Sequence, residues 1–162
     1  MIQKKIHGIG SELSTFSDID IIIVGKTSLL FALELYKIIC NQVSSVSIIE
    51  PYLLNDESIC FQGDITSDLH NKTVFVIHSV CDTGLIHNSV CNYISSLYKN
   101  VNIKNICMIN KLSNRQFDYH TDYSVLEVHQ DIFFVGYGIG IDNEYRELDG
   151  IYQLTMQALV QP

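Results

Sequence analysis

Thr73-Val74-Phe75-Val76-Ile77-His78-Ser79-Val80-Cys81-Asp82-Thr83-Gly84-Leu85-Ile86 is the stretch whose reading decides the fold. Its first half is a continuous apolar run, the pattern of a strand covered on both faces within a parallel sheet. It then breaks at Asp82-Thr83-Gly84, and apolar residues recur at helical spacing through Val90, Ile94 and Leu97. A strand, a tight polar loop and a helix start, in that order, make an anion site. Unpaired N–H groups and the Thr83 hydroxyl can hold a phosphate, and Gly84 lets the backbone approach it. The plainer alternative is that Asp82 or Thr83 only caps the helix.

The same alternation extends to either side. Upstream, Ile2, Ile6, Ile9 and Leu13 share one face of an expected helix, with Gly8 and Gly10 weighing against it. Ile19 to Val24 reads as a short buried strand. Gly25-Lys26-Thr27-Ser28 turns it into a helix from Leu29 to Cys40, which is apolar nearly all round and therefore either well buried or part of a subunit interface. Val46 to Ile49 is the next expected strand, and Glu50 to Asp64 an irregular, mobile excursion. Downstream, Ile103 to Ile109 is a strand ending at Asn110-Lys111, followed by strands at Tyr123 to Val128 and Ile132 to Val135, a glycine-rich turn at 136–140 and an apolar piece from Ile151 to Leu154. The sum is an open, mainly parallel twisted α/β sheet flanked by helices, with polar residues gathered along one edge.

Bulk properties narrow the function. With 162 residues and no internal repeat, one domain spanning 1–162 is expected. A net charge of −8 argues against nucleic acid or an anionic membrane as partner, but leaves room for a small phosphorylated ligand at a local donor loop. No run approaches a membrane span and no secretory signal opens the chain. The five cysteines (40, 60, 81, 91 and 107) are irregularly spaced, as reduced buried thiols in a cytoplasm would be.

Several patterns fall short of a motif. Gly25-Lys26-Thr27-Ser28 resembles the tail of a P-loop, but Asp20 stands where the leading glycine belongs. It remains either a turn with a solvated lysine or a shorter anion-binding turn. His78, Ser79 and Asp82 suggest a hydrolase trio without the strand-to-helix elbow that exposes such a serine. The other histidines show no metal-ligand spacing. Lys111 can read a carbonyl oxygen or simply end a strand; Phe133 and Phe134 are either core or a stacking platform.

Together these stretches resemble the hypoxanthine (6-oxopurine) phosphoribosyltransferases over nearly the whole chain. Phe133-Phe134-Val135-Gly136-Tyr137-Gly138 through Glu144-Tyr145-Arg146-Glu147-Leu148 follows that family's F-V-V-G-Y-G/A-L-D-Y-D/N-E-x-Y/F-R-x-L, and 73–86 its phosphoribosyl pyrophosphate signature. Gly63-Asp64-Ile65 to Lys72 resembles the lead-in, and Val24 to Ser28 the pyrophosphate loop. The resemblance implies a type I phosphoribosyltransferase fold with a small C-terminal hood, a cytoplasmic homo-oligomer and Mg2+ brought with phosphoribosyl pyrophosphate. By position, Asp82 is the purine-directed base, and Thr83 and Gly84, with Lys26, bind phosphate. Lys111, Phe133 and Phe134 bind the purine, and Arg115 and Arg146 lie on the pyrophosphate side.

The departures gather on one side. The signature Glu-Asp is His78-Ser79, the metal-ligating Asp falls on Gly140, and Ile86 stands for the Thr that closes the phosphate loop. The loop at 25–28 is two residues short. Each lost donor or charge aimed at the transition state typically costs a factor of about 100 or more. Two readings follow: a divergent purine-salvage enzyme that needs little protein ligation of magnesium, or an inactive relative that binds a purine, a nucleoside monophosphate or a partner subunit.

Overall fold

The computed structural model describes residues 2–54, 58–142 and 144–154. Six strands form one sheet in the order β3-β2-β1-β4-β5-β6: β1 (Ile19–Val24), β2 (Val43–Leu53), β3 (Ile59–Gln62), β4 (Thr73–Cys81), β5 (Asn102–Lys111) and β6 (Tyr123–Val128). All pairings are parallel except β2 with β3. Every residue of β1 is buried, as a central strand with both faces covered requires. One face packs on α1 (Ile2–Leu13) and α2 (Leu29–Ile39) through Ile21, Phe31, Leu35, Phe75 and Ile77. The other packs on α3 (Leu85–Leu97) through Val74, Val76, Val90 and Ile94. A two-stranded antiparallel sheet, β7 (Phe133–Val135) with β8 (Tyr152–Leu154), forms the C-terminal hood.

The expected α1 forms despite its glycines, and Gly10 has a packing reason. A Cβ there would lie 2.8 Å from Ile38, so the missing side chain lets α1 and α2 close together. Two expectations need correction. The strand read as 46–49 runs from Val43 to Leu53, and the excursion 50–64 is largely a hairpin in which Glu50 to Leu53 pairs with Ile59 to Gln62. Residues 55–57 of that excursion lie outside the described ones. The thiols are also less buried than expected: only Cys81 and Cys107 are buried, Cys40 is exposed, and all five are unpaired. Asp20, buried in β1, is tied to Lys72 at 3.1 Å and to the Ser45 hydroxyl, so it belongs to the strand and to no phosphate loop.

Strand order places the site. The chain leaves β1 towards β2 on one side, while β4 lies on the other, so the connections after β1 and β4 diverge between them. Such a switch point opens a crevice at the strand C-termini. Residues 25–28 and 82–84 line it, and hydrogen bonds join the two strand ends. Ser28 Oγ accepts from the Ser79 amide at 2.9 Å, and the Thr27 and Ser79 hydroxyls lie 2.8 Å apart.

Candidate active site

Three segments meet at one hollow of about 150 Å³. Asp82 comes from the loop after β4, Lys111 from the last residue of β5, and Phe133 and Phe134 from β7. Lys111 is 5% exposed, and its Nζ contacts Asp82 Oδ2 at 2.8 Å and Asp131 Oδ1 at 3.0 Å. Burial alone would lower its pKa, but these two carboxylates outweigh it and hold the ammonium above its usual value. In return the Lys111 ammonium, aided by the Asn114 amide at 2.7 Å, lowers that of Asp131. Asp82 Oδ1 is buried and has no hydrogen-bond partner. Phe133 is half exposed, whereas Phe134 packs on the core. An apolar slot with one fixed cation and one free carboxylate oxygen suits a flat heterocycle that offers a carbonyl oxygen and an N–H.

A second hollow, of about 90 Å³, lies under the start of α3 and is lined by His78 and residues 80–87. Gly84 caps the helix at φ 88°, and a Cβ there would stand 2.4 Å from the Tyr119 ring, so both backbone and packing require glycine. The Thr83 hydroxyl accepts from the Leu85 amide at 3.3 Å; the first hydrogen bond inside the helix is Asn88 N–H to Gly84 at 2.8 Å. The amides of Ile86 and His87 therefore have no partner within the helix. The loop is held from outside by the amides of Gln116 and Phe117, which donate to the Thr83 carbonyl.

His78 and Ser79 point to opposite sheet faces. Ser79 meets Thr27, while His78 stacks on His87 at 5.1 Å, so the two make no hydrolase pair. His87 in turn packs on Tyr119 at 4.7 Å, and the Arg115 guanidinium lies 4.4 Å from the Tyr119 ring centre. Burial pushes the Tyr119 hydroxyl up to about 12. Arg115 and Tyr119 both donate to Asn110 Oδ1 at 3.2 Å. Arg115 is thus engaged beside the α3 loop, and Arg146 is on the other side of the crevice.

Arg146 Nη1 donates to the Gly138 carbonyl at 3.0 Å, next to the 25–28 turn, since a Cβ on Gly138 would lie 2.9 Å from the Thr27 carbonyl oxygen. Its Nε is buried without a hydrogen-bond partner. The Lys26 amide donates to Glu50 Oε2 at 2.7 Å, so a carboxylate already occupies one anion position of that turn. These residues do not fit a protein-held magnesium ion. A Cβ at Gly140 would sit 2.1 Å from the Glu144 carbonyl oxygen and 2.7 Å from Arg146 Cγ, leaving no room for a ligand side chain. The Ser79 hydroxyl is taken by Thr27, and among the described residues no three His, Cys, Asp or Glu side chains converge as a metal site.

Sequence reading brought out Asp82, Lys111, Phe133 and Phe134 but missed Asp131 and Glu50. Asp131 stands two residues before Phe133, and an acidic residue opening that segment was the available signal. Glu50 reads in the sequence as part of a loop, whereas it stands in β2.

No protein-family model matches the chain. The hypoxanthine-guanine phosphoribosyltransferase of Bacillus subtilis is 28% identical over 157 residues, covering 91% of this chain and 84% of that protein. The hypoxanthine-guanine-xanthine phosphoribosyltransferase of Tritrichomonas foetus is 25% identical, with coverage of 91% and 83%. Among solved structures, a ternary substrate complex of the Trypanosoma cruzi hypoxanthine phosphoribosyltransferase superposes with a TM-score of 0.88 at 19% identity, over 98% of this chain and 92% of that one. A Staphylococcus aureus hypoxanthine phosphoribosyltransferase gives 0.86 at 23%, over 97% and 89%. Sequence relatives, sheet order and crevice agree: the chain is similar to the hypoxanthine (6-oxopurine) phosphoribosyltransferases and has their type I fold.

Proposed function

We propose that the chain is a purine-salvage enzyme that transfers a phosphoribosyl group from phosphoribosyl pyrophosphate to a 6-oxopurine, releasing pyrophosphate, and that its turnover is slow. The observation that carries this reading is the convergence of Asp82, Lys111, Phe133 and Phe134 on one slot. Lys111 reads the 6-oxo group, Phe133 stacks on the ring, the Phe134 backbone contacts its edge, and Asp82 takes the ring proton as nitrogen attacks the sugar carbon. In the free protein Lys111 is paired with Asp82, so the purine inserts by exchanging that contact for its own carbonyl and N–H. Thr83 and Gly84 hold the 5′-phosphate, and Lys26 and Arg146 face the pyrophosphate. Magnesium, where used, comes on the substrate's phosphates and owes little to protein carboxylates.

Slow turnover follows from the pyrophosphate half. His78 and Ser79 bring no charge to a developing oxocarbenium ion, Gly140 has no space for a ligand, and Glu50 competes for the Lys26 amide. The same features favour, as second reading, a relative that binds nucleoside monophosphate without turnover. We further read 1–162 as one cytoplasmic domain that self-associates through the outer face of α2, where Leu29, Leu30, Leu33 and Tyr36 are between 39% and 49% exposed.

Pyrophosphate release with hypoxanthine and guanine tests the activity. Wild type should turn over well below the ordinary range of about 1–10³ per second. Asp82→Asn should lower that by about 10²-fold or more, and His78→Glu with Ser79→Asp should raise it. Wild-type turnover within the ordinary range would refute the eroded half of the site, and an unaffected Asp82→Asn its base.

A further inference from the structure

We infer that His78 is a ligand-binding residue whose imidazole Nε2 hydrogen-bonds a phosphate monoester seated under the start of α3, replacing the hydroxyl that Ile86 does not supply. The inference rests on the proposed phosphate role of the 82–86 loop. His78 is 3% exposed and its Nε2 has no hydrogen-bond partner, a state that buried polar atoms rarely keep unless something else completes them. Strand alternation puts it with Val74 and Val76 on the α3 face of β4, directly below that helix start. There it lines the same hollow of about 90 Å³ as Asp82 to His87, about three times the ~30 Å³ a water takes in the liquid.

The rest of the loop is short of side-chain donors. Over 83–86 only the Thr83 hydroxyl, which accepts from the Leu85 amide, has a side-chain proton to donate, since Leu85 and Ile86 are apolar. Backbone amides at the helix start supply part of an anion's shell, and His78 supplies the missing side-chain contact. His87, stacked on it at 27°, fixes the ring plane, and is itself held by Cys81 Sγ at 3.9 Å and by Tyr119. Charge agrees with the geometry. Burial, with His87 second, keeps the imidazole neutral by lowering its pKa to about 3, so it presents an N–H without repelling an anion. The carboxylate that the family resemblance places at this position would repel one.

Calorimetric titration with ribose 5-phosphate, inosine 5′-monophosphate and phosphate-free inosine tests this in wild type, His78→Leu and His78→Gln. His78→Leu should weaken both phosphorylated ligands by about 10-fold or more and leave inosine unchanged, and His78→Gln, which keeps a donor, should recover most of the loss. Equal binding of ribose 5-phosphate by wild type and His78→Leu overturns the inference, as does an equal loss for inosine. Should His78→Leu fail to fold, the imidazole ¹⁵N resonances of the wild type decide. A shift at His78 Nε2 with ribose 5-phosphate and none with inosine supports the assignment; no shift with a bound phosphate overturns it. Failure of wild type to bind either phosphorylated ligand overturns the loop reading and this inference together.

Discussion

His78 stays neutral over the physiological range because burial, reinforced by the stacked His87, holds its pKa at about 3. The other titratable groups around it are the thiols of Cys107, its register partner on β5, and Cys81, which contacts His87, together with Asp82 in the lining of the same hollow and Tyr119 packed on His87. An unfolded histidine titrates near 6.5. As pH falls through 6.5 the unfolded chain takes up a proton that the folded chain refuses, so this contribution to stability is complete above 6.5 and is lost on the way down to 3. The loss is about 2 kcal/mol by pH 5. Urea denaturation at pH 7.5 and pH 5 should show that drop in wild type and a smaller one in His78→Gln; equal drops would contradict it. Gly140 makes a second test at this scale. A side chain there overlaps the Glu144 carbonyl, so Gly140→Asp should lower stability by about 1–3 kcal/mol. Alone it should bring no magnesium-dependent tightening of phosphoribosyl pyrophosphate, in thermal melts and titrations respectively. A stable variant with magnesium-dependent binding would refute the closed cradle. The purine-side residues were legible because they lie in short segments of distinctive order. The partners of Lys111 and Lys26 were not, since Asp131 and Glu50 reach them only through the fold, across 20 and 24 residues of sequence.

Elements built on continuous apolar runs were legible in the chain. β1 has the expected bounds, Ile19–Val24, because a strand covered on both faces is apolar almost throughout, its one charged residue, Asp20, being paired with Lys72 and Ser45. β2 extends well past its expected 46–49, since Ser44 and Ser45 dilute the apolar signal at its start, although Val43 and Ser45 pair with β1 through the backbone on either side of an irregularity at Ser44. β3 was missed for the same reason: Glu50-Pro51 reads as a loop, yet Glu50 pairs with Gln62 and Pro51 with Phe61. The sequence left α2 either buried or at an interface. The structure buries one side of it, with Phe31, Ala32, Leu35 and Ile39 in the core, and leaves Leu29, Leu30, Leu33 and Tyr36 exposed on the other. The outer set lines an apolar groove of about 350 Å³ with Val46, a surface that a second copy of the chain would cover. Sedimentation should therefore find wild type self-associated and Leu33→Lys shifted by about 10-fold or more towards monomer. A monomeric wild type at high concentration would contradict this.

Over the whole molecule the site divides along the switch point of the sheet. The β4–β5–β7 half holds the purine slot, the fixed ammonium and the free carboxylate oxygen. The β1 half, with Gly138 against it, has a turn shortened to Gly25-Lys26-Thr27-Ser28, a carboxylate already on one of its amides, and a filled position at Gly140. With a net charge of −8 there is no general attraction for anions, so phosphate affinity has to come from the local donors of each half. The half that keeps its donors should keep its ligand. Calorimetric titration of inosine 5′-monophosphate against magnesium–phosphoribosyl pyrophosphate compares the two directly. The monophosphate is expected to bind the tighter of the two, with little change on removing magnesium; tight, magnesium-dependent binding of phosphoribosyl pyrophosphate would contradict the account.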